Sequence, residues 1–184
     1  MKDIANIDEV LLIDKLENEY DLHKASLLER KLRLLEKENS KYIGIRKKLR
    51  LLISDYESIN WSDADKITHS QIVENDKAEN IVAIEQQFVF RRKDTIITKL
   101  KEFDMNQQEL GILLGHPKSY MSELINGVSQ FSMKDLVVIH RLLGIPLDLL
   151  IPTFLQSATR LKINESISKL NKPKLKLRKL ELAV

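Results

Sequence analysis

The 184-residue chain contains no cysteine, which excludes disulfide frameworks and thiolate chemistry and fits a reducing compartment. Glycine occurs five times, proline four times, and aromatic residues make up 5% of the chain, a composition short of the turn and strand formers of a sheet protein. No run approaches the roughly 18 apolar residues of a membrane span, and the opening MKDIANIDEV lacks a basic start followed by an apolar core. A soluble, cytoplasmic protein that does not span a membrane is therefore expected. The histidines His23, His69, His116 and His140 show no metal-ligand spacing, no Walker-type phosphate loop occurs, and no serine stands in a nucleophile-elbow context. Neither an enzyme nor a metal or other cofactor is expected. Repeats at solenoid spacing and low-complexity tracts are also missing.

Leucine, isoleucine, lysine and glutamate dominate instead, which favours an all-α protein, and the length suits two small domains joined end to end. The formal net charge of +3 says little, but its distribution is blocky. Residues 1–29 carry 3 basic against 8 acidic side chains, residues 30–50 carry 9 against 2, and residues 51–90 carry 2 against 8. Residues 160–184 are again basic, with 8 against 2. Such blocks either pair with one another inside the fold, lie on solvated faces or meet oppositely charged partners.

The spacing Ile13, Leu16, Tyr20, His23, Leu27 predicts one apolar stripe on a helix reaching about Glu38, with His23 as a core or boundary residue. After NSK, the residues Tyr42, Ile45, Leu49, Leu52, Tyr56 and Ile59 repeat the pattern, so two antiparallel helices can bury their stripes against each other. Ser62 is a candidate cap before a third helical region over residues 70–103, where Ile81, Ile84 and Phe88 continue an apolar face. Its polar middle, VENDKAEN, leaves one long helix or two shorter ones equally open. The expected architecture is an N-terminal helical hairpin and connecting helix (1–90), a helix-turn-helix domain (91–156), and a short helix with a basic tail (157–184).

Three of the five glycines fall within MNQQELGILLGHPKSYMSELINGV, residues 105–128, although glycine inside a helix costs about 1 kcal/mol relative to alanine. NQQELGILLG reads as a short helix capped by Asn106, with Leu110, Leu113 and Leu114 inward and Gly115 at its end. A second helix follows from Lys118, with Met121, Leu124 and Ile125 on one face and Lys118, Ser119, Ser122 and Glu123 on the other. Gly115 then supplies the positive φ of the turn, and Gly111 makes room where the second helix crosses the first. Two short helices joined in this way form a helix-turn-helix, whose second helix enters the DNA major groove. The competing small-xxx-small pattern of membrane helices needs an apolar 20-mer, and none is present.

This stretch, followed by FSMKDLVVIHRLLGIPLDLLIP, resembles the lambda-repressor-like (Cro and repressor type) DNA-binding domain and, through KSYMSELING and LGIP, the HigA-type antitoxins. The resemblance covers about a third of the chain. It implies a five-helix domain that forms a homodimer on double-stranded operator DNA, in a protein that neutralises a RelE/HigB-like messenger RNA nuclease toxin. The matching positions imply base readout by Lys118, Ser119, Ser122 and Glu123, and phosphate contacts from Asn106, Gln107, Tyr120 and Lys134. Ser132 and Asp135 look like a capping box, and Leu147, Leu150 and Ile151 form the implied dimer patch. Two departures stand out. Pro117 occupies the usual serine or threonine cap position, and VSQ replaces the basic residues that many relatives place after the glycine at Gly127. With 3 basic against 5 acidic residues over 104–159, the domain alone should bind weakly unless Arg91, Arg92, Lys93 or the basic tail compensates.

The closing NKPKLKLRKLELAV alternates charged and apolar residues, as an edge strand for a partner's sheet or a basic solvated tail would. A toxin would bind either this tail or the N-terminal helices. A regulator with no toxin partner, and a helical interaction module that has lost DNA binding, are the rival functions.

Overall fold

The computed structural model describes residues 7, 9–36, 39–152, 155, 157–170, 172 and 174–177, with side chains of the last helix from residue 163 onward. Every regular element among them is a helix, and none of these helices is long and apolar enough to cross a membrane. A 3-10 turn, Val10–Leu12, precedes α1 (Glu19–Leu35), which Asn18 caps by accepting a hydrogen bond from the Asp21 amide. α2 (Lys41–Asn60) runs back along α1, because Arg46 near its start pairs with Glu29 while Tyr56 near its end donates to Glu19. Leu22, Ala25, Leu28 and Leu32 of α1 pack with Tyr42, Ile45, Leu49 and Leu52 of α2, joined by Val10, Ile13 and Leu16 from the preceding chain.

The first stripe therefore needs correction. Ile13 and Leu16 are buried but lie before the helix, and α1 carries two apolar lines rather than one. The reason is that α1 is covered on two sides. The line through Leu22 and Ala25 faces α2, whereas the Tyr20 hydroxyl donates to Glu85, and His23 Nε2 lies 2.9 Å from Asn75 Oδ1, both on a third helix. The second stripe holds from Tyr42 to Tyr56, but Ile59 is 79% exposed at the end of α2. The charge blocks pair in part: Arg46 binds Glu29 and Glu36, Arg50 binds Glu29, and Lys24 binds Glu85.

That third helix, α3 (His69–Glu102), is a single element of 34 residues, about 51 Å long at 1.5 Å per residue. Thr68 caps it through the Gln71 amide, and Ser62 does not. VENDKAEN stays helical because it contains neither proline nor glycine and because its own Ala78, and Val82 just after it, are buried. α3 passes unbroken through residues 90 and 91, and its last turns place Ile96 and Leu100 in a second core. That core is completed by α4 (Gln107–Leu114), α5 (Lys118–Asn126), α6 (Met133–Leu143) and α7 (Leu147–Leu150). One helix thus carries both packed units.

α8 (Ser157–Leu170) follows, and Leu175 and Leu177 line a surface depression with its Ile163 and Ile167. In the alternating tail, residues 172 and 174–177 form no strand, and the rest of the expected strand lies outside the described residues. Leucines spaced by two therefore need not mark a strand here, since those at 175 and 177 meet apolar side chains of α8.

Candidate nucleic-acid interface

α4 begins with a reciprocal cap. Asn106 Oδ1 accepts from the Gln108 and Glu109 amides at 2.8 and 3.1 Å, and Glu109 Oε2 accepts from the Asn106 amide at 2.7 Å. Gly115 ends the helix at φ +77°, and the His116 amide donates back to the Gly111 carbonyl at 2.8 Å. At Gly111 a Cβ would stand 3.0 Å from the His116 carbonyl oxygen and 3.4 Å from Met121 Cγ, so α5 can approach α4 closely only because that position has no side chain. Pro117 starts α5 at φ −68°, where its missing amide proton leaves no donor unpaired. Ser132 and Asp135 make a second reciprocal cap at α6.

Since space around Gly115 is open and only its φ is unusual, Gly115→Ala should lower stability by about 1 kcal/mol without changing the fold. Urea denaturation reads this directly. No loss would mean the turn tolerates an alanine and the left-handed geometry is not needed.

This arrangement sets the starts of α4 and α5 side by side. Asn106, Gln107, Gln108, Lys118 and Ser122 line one shallow polar depression, with Asn106, Gln108 and Lys118 exposed and Gln107 and Ser119 half-buried. The positive dipole ends of helix starts favour anions, although at α4 the Asn106, Gln108 and Glu109 amides are already taken by the cap. Tyr120 is exposed, its ring edge-on to His116, whose Nε2 lies 3.0 Å from Asp135 Oδ1. Burial pushes the Asp135 carboxyl up, but the bonds from Ser132 and His116 outweigh it and hold it below its usual value. Lys134 is exposed at the start of α6. The structure therefore brings together Asn106, Gln107 and Lys118, with Ser122 at the rim, while Ser119 and Tyr120 follow Lys118 on α5 outside the depression.

It does not bring Glu123 to that surface. Glu123 is 1% exposed and accepts from the Tyr42 hydroxyl at 2.6 Å, Lys41 Nζ at 2.6 Å and the Ser129 hydroxyl at 2.7 Å. A base-reading role for it is excluded by this burial. Ser122 is also mostly covered, and it touches the depression only at its rim. The face of α5 opposite its apolar side is thus solvent-exposed only over its first turn, because the start of α2 covers the rest. Lys31 donates to the Gly127 carbonyl at 3.1 Å, Lys93 donates to Asn126 at 2.8 Å, and Val128 enters the N-terminal core.

Three further expectations change. Arg92 is buried at 9% exposure against the rings of Phe88 and Phe131, so it cannot reach a DNA backbone phosphate, and Lys93 is engaged by Asn126. Leu150 is fully buried in the second core, which leaves exposed Leu147 and half-buried Ile151 of the expected dimer patch, with exposed Leu149 beside them. Leu113 is 54% exposed, since Leu110 and Leu114 take the inward positions of α4. The residues that hold α5, Lys31, Lys41 and Tyr42, were missed, and their only local signals were a basic block and an apolar stripe already explained by the helix pair. The chain matches no protein-family model, no curated protein and no solved structure.

Proposed function

We propose that the protein is a sequence-specific DNA-binding protein that reads an operator with the first turn of α5, α4 and α5 acting as a helix-turn-helix. The observation that carries this reading is the shared polar surface at the starts of α4 and α5, set by the left-handed turn at Gly115 and the close crossing at Gly111. Recognition helices contact base edges with their N-terminal residues, and here those residues are Lys118 and Ser119. Asn106, Gln107, Tyr120 and Lys134 flank them as phosphate contacts. Lysine suits guanine acceptors, and a serine hydroxyl accepts or donates to several bases. Dimerisation on DNA would use Leu147, Leu149 and Ile151.

The resemblance to HigA-type antitoxins extends the proposal. The protein would repress its own operon in the bacterial cytoplasm and neutralise a RelE/HigB-like toxin by direct binding. What supports a toxin-binding role for the N-terminal unit is that it has a helical core of its own, with exposed acidic residues such as Asp55 and Glu57 on α2. A regulator without a toxin partner is the second reading, favoured by the direct docking of that module on α5, which gives it a structural role instead.

Selection from a random duplex pool should enrich one motif, and Lys118→Ala should weaken binding to it by about 1–3 kcal/mol while relaxing preference at one base pair. Binding should fall with salt at a slope of about −0.9 per phosphate contacted. A pool with no enriched motif at low salt would overturn the DNA reading. Coexpression with a neighbouring reading frame separates the two functions, since relief of growth arrest and co-purification mark an antitoxin.

A further inference from the structure

A cavity of about 310 Å³ lies between α1, α3 and the segment that leaves α5, and Lys24, Lys31, Glu85, Phe88, Arg92 and Phe131 are among the residues on its walls. Its charges do not balance. Among the described residues Glu85 is the one carboxylate on those walls, and it already accepts from Lys24 at 2.7 Å and from the Tyr20 hydroxyl. Among the described residues, Lys31 hydrogen-bonds the neutral Gly127 carbonyl and shares the charge of Glu85 with Lys24, while Arg92, more than nine-tenths buried, lies against two aromatic faces with no carboxylate in salt-bridge range. Buried cations are ordinarily paired, because withdrawing them from water is costly.

We propose that this cavity binds a small organic dianion, a phosphate monoester or a dicarboxylate, with a planar apolar body. The two uncompensated cations match a charge of minus two, and the guanidinium fork suits either head group. Phe88, Phe131 and the aliphatic residues between them offer the apolar wall for the body, and the volume is at the small end of ligand sites. Burial, with Lys24 and Arg92 nearby, pulls the Lys31 ammonium down to about 8, the direction expected of a cation waiting for an anion. The occupied cavity would touch Gly127–Phe131, the stretch directly after α5, and so bias how α5 is held. That consequence for DNA rests on the function proposed above, whereas binding itself does not.

The test uses the full chain without DNA. Calorimetric titration with phenyl phosphate should show one saturable site, with inorganic phosphate and phenol at least about 10-fold weaker, since each uses half of the cavity. Lys31→Met and Arg92→Met should each weaken binding about 10-fold or more, and Lys47→Met, at an exposed position of α2, should not. In the unsubstituted protein, amide resonances of Gly127–Phe131 should move on titration, a readout that does not depend on any variant folding. Tighter binding of phthalate than of phenyl phosphate would assign a dicarboxylate head, and the reverse a phosphate. No saturable binding of either, affinity indifferent to Lys31→Met, or shifts confined to residues outside the cavity would overturn the proposal.

Discussion

Glu123→Ala is expected to destabilise the protein by about 2–4 kcal/mol, because it removes at one stroke the buried acceptor shared by the Tyr42 hydroxyl, Lys41 and Ser129. Lys41 is 45% exposed and recovers water, so the lost bonds inside the protein and the lost packing dominate. The effect carries a pH signature. Burial pushes the Glu123 carboxyl up, but the hydrogen bonds from Lys41, Tyr42 and Ser129 overcome it and leave the folded-state value below the ordinary 4.5. A lowered folded value means the contribution is fully present above about pH 4.5 and is lost as pH falls through the folded value. Glu29, held low by Arg46 and Arg50 against its own burial, and Asp135 act in the same direction. Urea midpoints measured between pH 7 and pH 3 should therefore fall in the wild type and fall less steeply in Glu123→Gln. Equal slopes would mean that Glu123 is not the buried link between α2 and α5.

Gly127→Ala should cost about as much by a different route. Its φ of +64° adds roughly 1–2 kcal/mol for any side chain, and the added Cβ would meet Val89 Cγ1 at 2.4 Å, adding about 1–3 kcal/mol of overpacking. The two components separate in a double-mutant cycle. Val89→Ala makes room, so Gly127→Ala should cost less in that background, with a coupling of about 1 kcal/mol or more. An additive cycle, measured by thermal or urea unfolding, would place Val89 away from the end of α5. Both substitutions bear on function as well, because Gly127 and Glu123 are where the N-terminal unit grips the helix proposed to read DNA.

Local signals in the chain were sufficient for much of this. The caps at Asn106 and Ser132, the turn at Gly115 and the close approach at Gly111 involve residues within ten positions of one another, and each follows from backbone needs that particular residue types meet. The apolar periods located α2 and the inward face of α5 for the same reason. What escaped were contacts between residues far apart in the chain. Glu123 looked like a solvent-facing acid because its partners Tyr42 and Lys41 lie some eighty positions earlier, and no periodicity within α5 records them. Arg92 looked like a DNA cation because a basic run resembles a surface, whereas its neighbours Phe88 and Phe131 enclose it. Leu150 failed as a surface residue because α7 is so short that one of its leucines must close the core.

In the proposed reading the starts of α4 and α5 form the DNA-reading surface while Glu123 of α5 stays locked to α2. Hydrogen exchange on the full chain, with and without the duplex enriched by selection, probes both parts at once. New protection is expected at residues 106–109 and 118–120, with unchanged protection around Tyr42 and Glu123. Protection confined to α1 and α2, with α4 and α5 unaffected by a bound duplex, would contradict it.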